Sequence, residues 1–198
     1  MEITINGEIL QYTIEHEKTI GEVLGFIELQ CKEAKATVAQ VLVDGKELLP
    51  EELDDLFNKP VDTDIKIELS TLSGQDVKIL IKSICTQLID TAEKLKEIPL
   101  HMQSGEINNS LNLLSEFSEL LNKLYYCFTL FDIAGINPQL KIHEKSIEEY
   151  QTEISPLLPD LVQAVEENDI VTAGDIAEYE LGPLVKDFAS GLSSIHHI

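Results

Sequence analysis

Leu72-Ser73-Gly74-Gln75 is where the sequence changes its period. Before it, short β-branched runs alternate with turn signals. After it, apolar residues recur every three or four positions almost to the end. A period of two marks half-buried strands, and a period near 3.6 marks helices. The seam therefore predicts an α+β chain of two parts. Residues 1–72 form a small mixed-sheet domain, and residues 73–198 form an antiparallel helical bundle of about four helices.

Upstream of the seam, Ile3-Thr4-Ile5 and the run Ile9 to Ile14 flank Asn6-Gly7, a strong hairpin signal because a type I′ turn needs positive φ twice. Thr19-Ile20-Gly21-Glu22 reads as a capping box, followed by Val23, Phe26, Ile27 and Gln30-Cys31 at helical spacing. That helix is expected to end near Ala34 to Ala36. Val38 to Val43 is β-rich, Asp44-Gly45 gives a second tight turn, and Pro50 opens a short acidic helical turn. Ile65, Ile67 and Leu69 alternate with Lys66 and Glu68 as a half-buried strand does.

This order, with Thr19-Ile20 opening the helix and Asp44-Gly45-Lys46-Glu47-Leu48 at the later turn, resembles the ubiquitin-like β-grasp fold. The resemblance covers the N-terminal third. It implies a binding module that meets its partner with a sheet face or edge. Ubiquitin and the related sulfur carriers act through a free C-terminal Gly-Gly, whereas here the last strand runs into Ser70-Thr71-Leu72-Ser73-Gly74 and the chain continues. The β-grasp ferredoxins use clustered cysteines, which this part lacks. Neither a carrier nor an iron–sulfur role is expected.

Downstream, Ser73-Gly74-Gln75-Asp76 caps a helix whose stripe is Val77, Ile81, Ile84, Leu88, Thr91, Leu95 and Ile98, and Pro99 is expected to end it. A second helix is expected over about Gly105 to Ala134, apolar on several sides and so central in the bundle or at a dimer interface. Asn137-Pro138 is expected to start the third helix, which Pro156 and Pro159 should kink or split. A fourth helix follows Asn168-Asp169, bent at Gly182-Pro183.

Charge narrows the function classes. The formal net charge is −22, and both parts are acidic, with 6 Lys against 16 Asp/Glu up to the seam and 8 against 20 beyond it. All basic residues are Lys, so the bidentate arginine clamp for phosphate or carboxylate is missing. Such a surface repels nucleic acid and anionic lipid, and it suits a basic protein partner or one with an exposed apolar helix. Cys31, Cys85 and Cys127 are too far apart for a Cys-x-x-Cys pair and read as reduced thiols. With no basic leader and no long apolar run, a cytoplasmic location is expected.

No motif nominates a reaction. A carboxylate-bridged di-metal bundle needs Glu-x-x-His, but Thr13, Ile98, Leu140, Ser193 and Ser194 stand three residues before the five histidines. Glu51-Glu52-Leu53-Asp54-Asp55 lacks the alternating oxygen ligands and turn glycine of a Ca²⁺ loop. No Gly-x-Ser-x-Gly elbow or phosphate-binding glycine loop occurs. The expectation is thus a non-enzymatic interaction protein, adaptor or chaperone-like, without cofactor or metal. It binds a partner helix or self-associates through the bundle as a homodimer. The alternative is a regulatory subunit or small-ligand sensor with a pocket between sheet and bundle. Partner contacts are assigned to Asp175, Glu178 and Tyr179 on the fourth helix and to Tyr125, Phe128 and Phe131 on the second.

Overall fold

Asn6 and Gly7 have φ of 51° and 84°, and they turn strand β1 (Glu2–Ile5) back into β2 (Glu8–Ile9). The structure is a computed structural model and describes residues 1–195. β2 is shorter than the run Ile9 to Ile14 implies. Side-chain bonds divert the chain there: Tyr12 donates its hydroxyl to Glu17, whose other oxygen accepts the amides of Glu15 and His16 at 3.0 and 3.1 Å. These bonds, the Tyr12 hydroxyl first, hold the Glu17 carboxyl down at about 2.

Helix α1 (Ile20–Glu33) begins where Thr19 Oγ1 accepts the Glu22 amide at 3.3 Å. The Glu22 carboxylate turns back to the amide of Lys18. β3 (Ala36–Val43) follows, then a turn at Asp44-Gly45 with φ of 50° and 80°, and β4 (Lys46–Glu47). A 3₁₀ turn, Pro50–Glu52, leads into α2 (Leu53–Phe57), and β5 (Lys66–Ser73) completes the sheet. The strand order is β2-β1-β5-β3-β4, with β1 and β5 parallel and the other pairs antiparallel. Register sets the core. Ile3 and Val43 both pair with Ile67, and Ile5 and Val41 both pair with Leu69. One sheet face is therefore apolar, and α1 closes it with Ile20, Val23, Leu24 and Ile27.

The chain divides into two compact units, Met1–Asp76 and Val77–Ile198. Helix α3 (Gly74–Lys94) starts on the last strand residue without a loop. The second unit is mostly helical, with seven α-helices among the described residues counting α3. Pro99 does not end the first helical path. The chain tightens into a 3₁₀ turn, Leu95–Glu97, and Pro99 enters the first turn of α4 (Ile98–Gln103), where a missing amide costs nothing. The second helix is two: α5 (Ile107–Phe128) and α6 (Phe131–Ala134). Thr129 ends α5 by donating its hydroxyl to the Tyr126 carbonyl at 2.7 Å. Gly135, at φ 66°, closes α6.

Asn137-Pro138 starts no helix. Asn137 Oδ1 accepts the Gln139 amide at 2.9 Å and makes a turn, and a small hairpin follows, β6 (Lys141–Ile142) and β7 (Lys145–Ser146). Helix α7 (Ile147–Glu166) opens on a capping box between Ser146 and Glu149. It runs unbroken through Pro156 and Pro159. Both prolines are exposed, as are Thr152 and Ser155, whose carbonyls lose their usual amide donors on the solvent side of the helix. The last path is α8 (Ile170–Asp175), a π-helical turn Ile176–Leu181, and α9 (Gly182–Ser194). The widened π turn ends at Leu181, with Gly182 between it and Pro183, whose ring would crowd the preceding carbonyls in a regular α-helix. None of the described helices is long and apolar enough to cross a membrane.

Two electrostatic devices in the second unit give measurable outcomes. Glu93 on α3 bonds Lys186 of α9 at 2.5 Å and Lys96 at 2.7 Å, which holds its carboxyl down from the usual 4.5 to about 2. A depressed carboxyl stabilises the fold fully above its unfolded value and loses that contribution as pH falls. Lys186→Met is expected to flatten the loss of thermal stability between about pH 4.5 and 2. Ser146→Ala removes the α7 cap and should lower the unfolding free energy in urea by about 1 kcal/mol.

Candidate functional site

The residues assigned to partner contact on the second helix lead into an aromatic column. Tyr125 and Phe128 on α5 have ring centroids 6.0 Å apart. Phe128 meets the edges of Phe131 at 5.1 Å and Phe188 at 6.2 Å, and Phe188 stacks on Tyr150 at 4.7 Å. Phe131, Phe188 and Tyr150 are buried. Phe131 is therefore core: its ring backs Phe128 and offers no partner a surface. Tyr125 and Phe128 are half-buried, and neighbouring Tyr126, to which spacing assigns no role, is the exposed aromatic of this helix.

At the end of the column sits a polar cluster. The Tyr150 hydroxyl donates to Asp187 Oδ2 at 2.6 Å, and His143 Nδ1 lies 3.0 Å from Asp187 Oδ1. Lys145 stands 5.3 Å over the Tyr150 ring and bonds both oxygens of Glu153 at 2.8 and 2.7 Å. Burial, then Asp187, pushes the Tyr150 phenol well above its ordinary range. The phenol is thus a fixed donor. His143 and Glu144 form the tip of the β6–β7 hairpin with φ of 47° and 72°, an unusual pair of non-glycine residues for that region. The hairpin lies on α9 at Gly191, where an added Cβ would strike Ile142 and come within 3.1 Å of the His143 ring. The cluster couples a histidine, a carboxylate and a phenol, and the bond of His143 to Asp187 clamps the hairpin to α9. The Ser146-x-x-Glu149 cap was the one sequence signal for where this hairpin ends.

Tyr125 also lines a groove of about 450 Å³ between α5 and α7. Ser118, Asn122 and Tyr125 face Gln151, Ser155 and Leu158 across it. Its lining has amides, hydroxyls and aliphatic carbons but no carboxylate and no cation. It can hydrogen-bond and pack against a ligand. It cannot supply a strong general acid or base.

Asp175, Glu178 and Tyr179 lie apart from both features. Asp175 ends α8 exposed, and Glu178 and Tyr179 sit on the π turn, Tyr179 with 74% of its surface free. The i→i+5 turn departs from the α-helical spacing that places Asp175 beside Glu178. Among the described residues no hydrogen bond or ion pair joins these three side chains, and no group of three or more His, Cys, Asp or Glu is placed to hold a metal. His196 and His197 lie outside the described residues. Burial raises the thiols of Cys85, to about 12, and Cys127, which makes both poor nucleophiles.

Residues 1–73 match a family model described as TP0873 N-terminal domain, and residues 80–191 match one described as Domain of unknown function (DUF8042). A protein of Treponema pallidum (strain Nichols) described as "Uncharacterized protein" is 53% identical over 192 residues, 97% of this chain and 96% of that one. No solved structure matches.

The clamp makes an ordered prediction. Gly191→Ala should lower stability by about 1–3 kcal/mol through overpacking against the hairpin. Tyr150→Phe leaves an exposed carboxylate to water and should cost about 1 kcal/mol. Thermal unfolding by circular dichroism ranks the two. The reverse order would show that the close approach at Gly191 matters less to the clamp than the Tyr150–Asp187 bond.

Proposed function

The chain belongs to the family of the DUF8042 domain, here joined to a TP0873 N-terminal domain, and as a member of it, we propose, this protein is a non-enzymatic interaction module. Its bundle seats a segment of a protein partner. The observation that carries this reading is the neutral groove between α5 and α7, with Tyr125 in its wall. A groove between two helices that offers amides, hydroxyls and a half-buried aromatic suits an amphipathic helix better than a reaction. With a chain charge of −22 around it, the fitting partner carries lysines or arginines flanking its apolar face.

We read the finer architecture in the same direction. The order β2-β1-β5-β3-β4 around a parallel β1–β5 pair, with α1 across it, supports a ubiquitin-like β-grasp for the N-terminal unit. Helices α3, α5, α7 and the α8–α9 path supply four legs for an antiparallel bundle. The three unpaired cysteines support a cytoplasmic setting.

Affinity capture from the native cell tests the reading. The wild-type chain should retain a partner that Tyr125→Ala/Gln151→Ala loses, and an Asp62→Ala control should retain it. With that partner purified, the double substitution should weaken binding at least about tenfold, as loss of a packed tyrosine anchor does. Equal retention by the wild type and the double variant would remove the groove as the binding site.

A further inference from the structure

Helix α1 turns an atypical side outward. A helix that closes a sheet carries polar residues on its outer face. α1 buries Ile20, Val23, Leu24 and Ile27 but leaves Phe26 45% and Leu29 60% exposed. Glu22, Gly25, Leu29 and Lys32 are all exposed and recur at intervals of three, four and three, so they make one stripe along the helix. Apolar hollows flank the stripe. One of about 320 Å³ lies beside Gly25 against Val38, Val41 and Phe57, and one of about 280 Å³ lies beside Phe26 against Leu10 and Tyr12.

We propose that α1 is a two-fold interface that packs antiparallel on α1 of a second copy of this chain. The stripe is complementary to its own reverse about the position of Ile27. In that register, Leu29 of each copy meets Gly25 of the other, and Glu22 of each meets Lys32 of the other. Gly25 is a notch: a Cβ built there finds nothing within 4 Å, so a leucine side chain has room to enter. Exposed Phe26 and the two hollows lie beside this contact and extend the apolar area it covers.

Charge selects the direction. A parallel pair sets Glu22 against Glu22 and Lys32 against Lys32, whereas the antiparallel pair replaces these two repulsions with two Glu22–Lys32 attractions related by the two-fold axis. Glu22 accepts the Lys18 amide through Oε2 in the α1 cap, so Oε1 is the oxygen it offers to Lys32 of the other copy. Within the chain Lys32 reaches Glu28 only at 3.9 Å and is 62% exposed, and Glu28 is already held by Thr37 Oγ1 and the Val38 amide, each at 3.0 Å. This interface belongs to the N-terminal unit and is independent of the groove between α5 and α7.

Sedimentation velocity on the full chain tests it. Wild type should reach twice the 22.1 kDa chain mass as concentration rises. Leu29→Lys should stay at one chain mass. Glu22→Lys and Lys32→Glu should each weaken the dimer about tenfold, because two attractive pairs become repulsive. The double variant Glu22→Lys/Lys32→Glu should recover wild-type association, a recovery that general damage to the fold does not give. Circular dichroism confirms that each variant is folded. A wild type that stays monomeric, a dimer that survives Leu29→Lys, or a double variant that fails to recover would each overturn the proposal. None of these outcomes bears on partner capture by the bundle groove.

Discussion

Ser73 serves two elements at once, and the chain turns from sheet to helix on that residue. It is the last residue of β5 and pairs with Ala36 across the ladder. Its hydroxyl accepts the Asp76 amide at 3.2 Å and donates to Asp76 Oδ2 at 2.6 Å, while its own amide donates to the same oxygen at 2.9 Å. The first turn of a helix leaves amides without partners, and a reciprocal cap of this kind satisfies them with no added residues. The hydroxyl bond, with the amide, holds the Asp76 carboxyl below its usual range, so the cap stays charged where the positive end of the helix favours it. No loop intervenes, so the register of β5 fixes where α3 begins.

That junction was legible because each half obeys a local rule. The alternation of Ile65, Ile67 and Leu69 needs only a two-sided strand, and the positive φ of Asn6-Gly7 and Asp44-Gly45 needs only residues that tolerate it. The misread elements are those where a local rule was outweighed. Pro99 signals a stop, but a proline within the first turn loses no bond, so the helical path continues through a 3₁₀ turn. Pro156 and Pro159 signal a break, but both lie on the solvent side of α7 while Ile154 and Leu161 on the other side are buried. The β6–β7 hairpin has no turn signature at all, because His143 and Glu144 adopt positive φ without being glycine or asparagine. Contacts from outside the hairpin maintain that conformation: the bond of His143 to Asp187, and the space left by Gly191.

The same distinction explains the candidate residues. Periodicity located Tyr125, Phe128 and Phe131 on one helical path, which is correct as far as a helix is concerned. It could not foresee the turn at Thr129-Leu130 that separates Phe131 from the other two and sends its ring inward. Nor could it join Tyr150 to Asp187, 37 positions later, since a hydrogen bond between helices leaves no trace in the spacing of either. The outer stripe of α1 was missed as well, because spacing alone does not tell which face of a helix meets water. A stripe is a property of one helix, and its meaning changes only when exposure is known. Phe26 read as part of the apolar stripe in the sequence while Leu29 fell outside it, and the structure leaves both in water.

Charge sets opposing demands on any assembly of this chain. At a net charge of −22, two copies repel over distances that salt shortens, to about 8 Å at physiological ionic strength. A proposed contact through α1 must overcome that repulsion locally, with apolar area and with Glu–Lys pairs, since the chain has no arginine to form bidentate ones. The two effects respond to salt in opposite directions. Screening weakens the exposed Glu22–Lys32 pairs by a few tenths of a kcal/mol each, but it relieves a repulsion summed over all the unpaired acids of both copies. The long-range repulsion is the larger effect here, so association through α1 should strengthen, not weaken, as salt is raised from low concentration. A basic partner of the kind proposed for the bundle groove would feel the reverse, because salt removes its attraction to the acidic chain. Two interfaces on one acidic chain would therefore separate by their response to ionic strength alone.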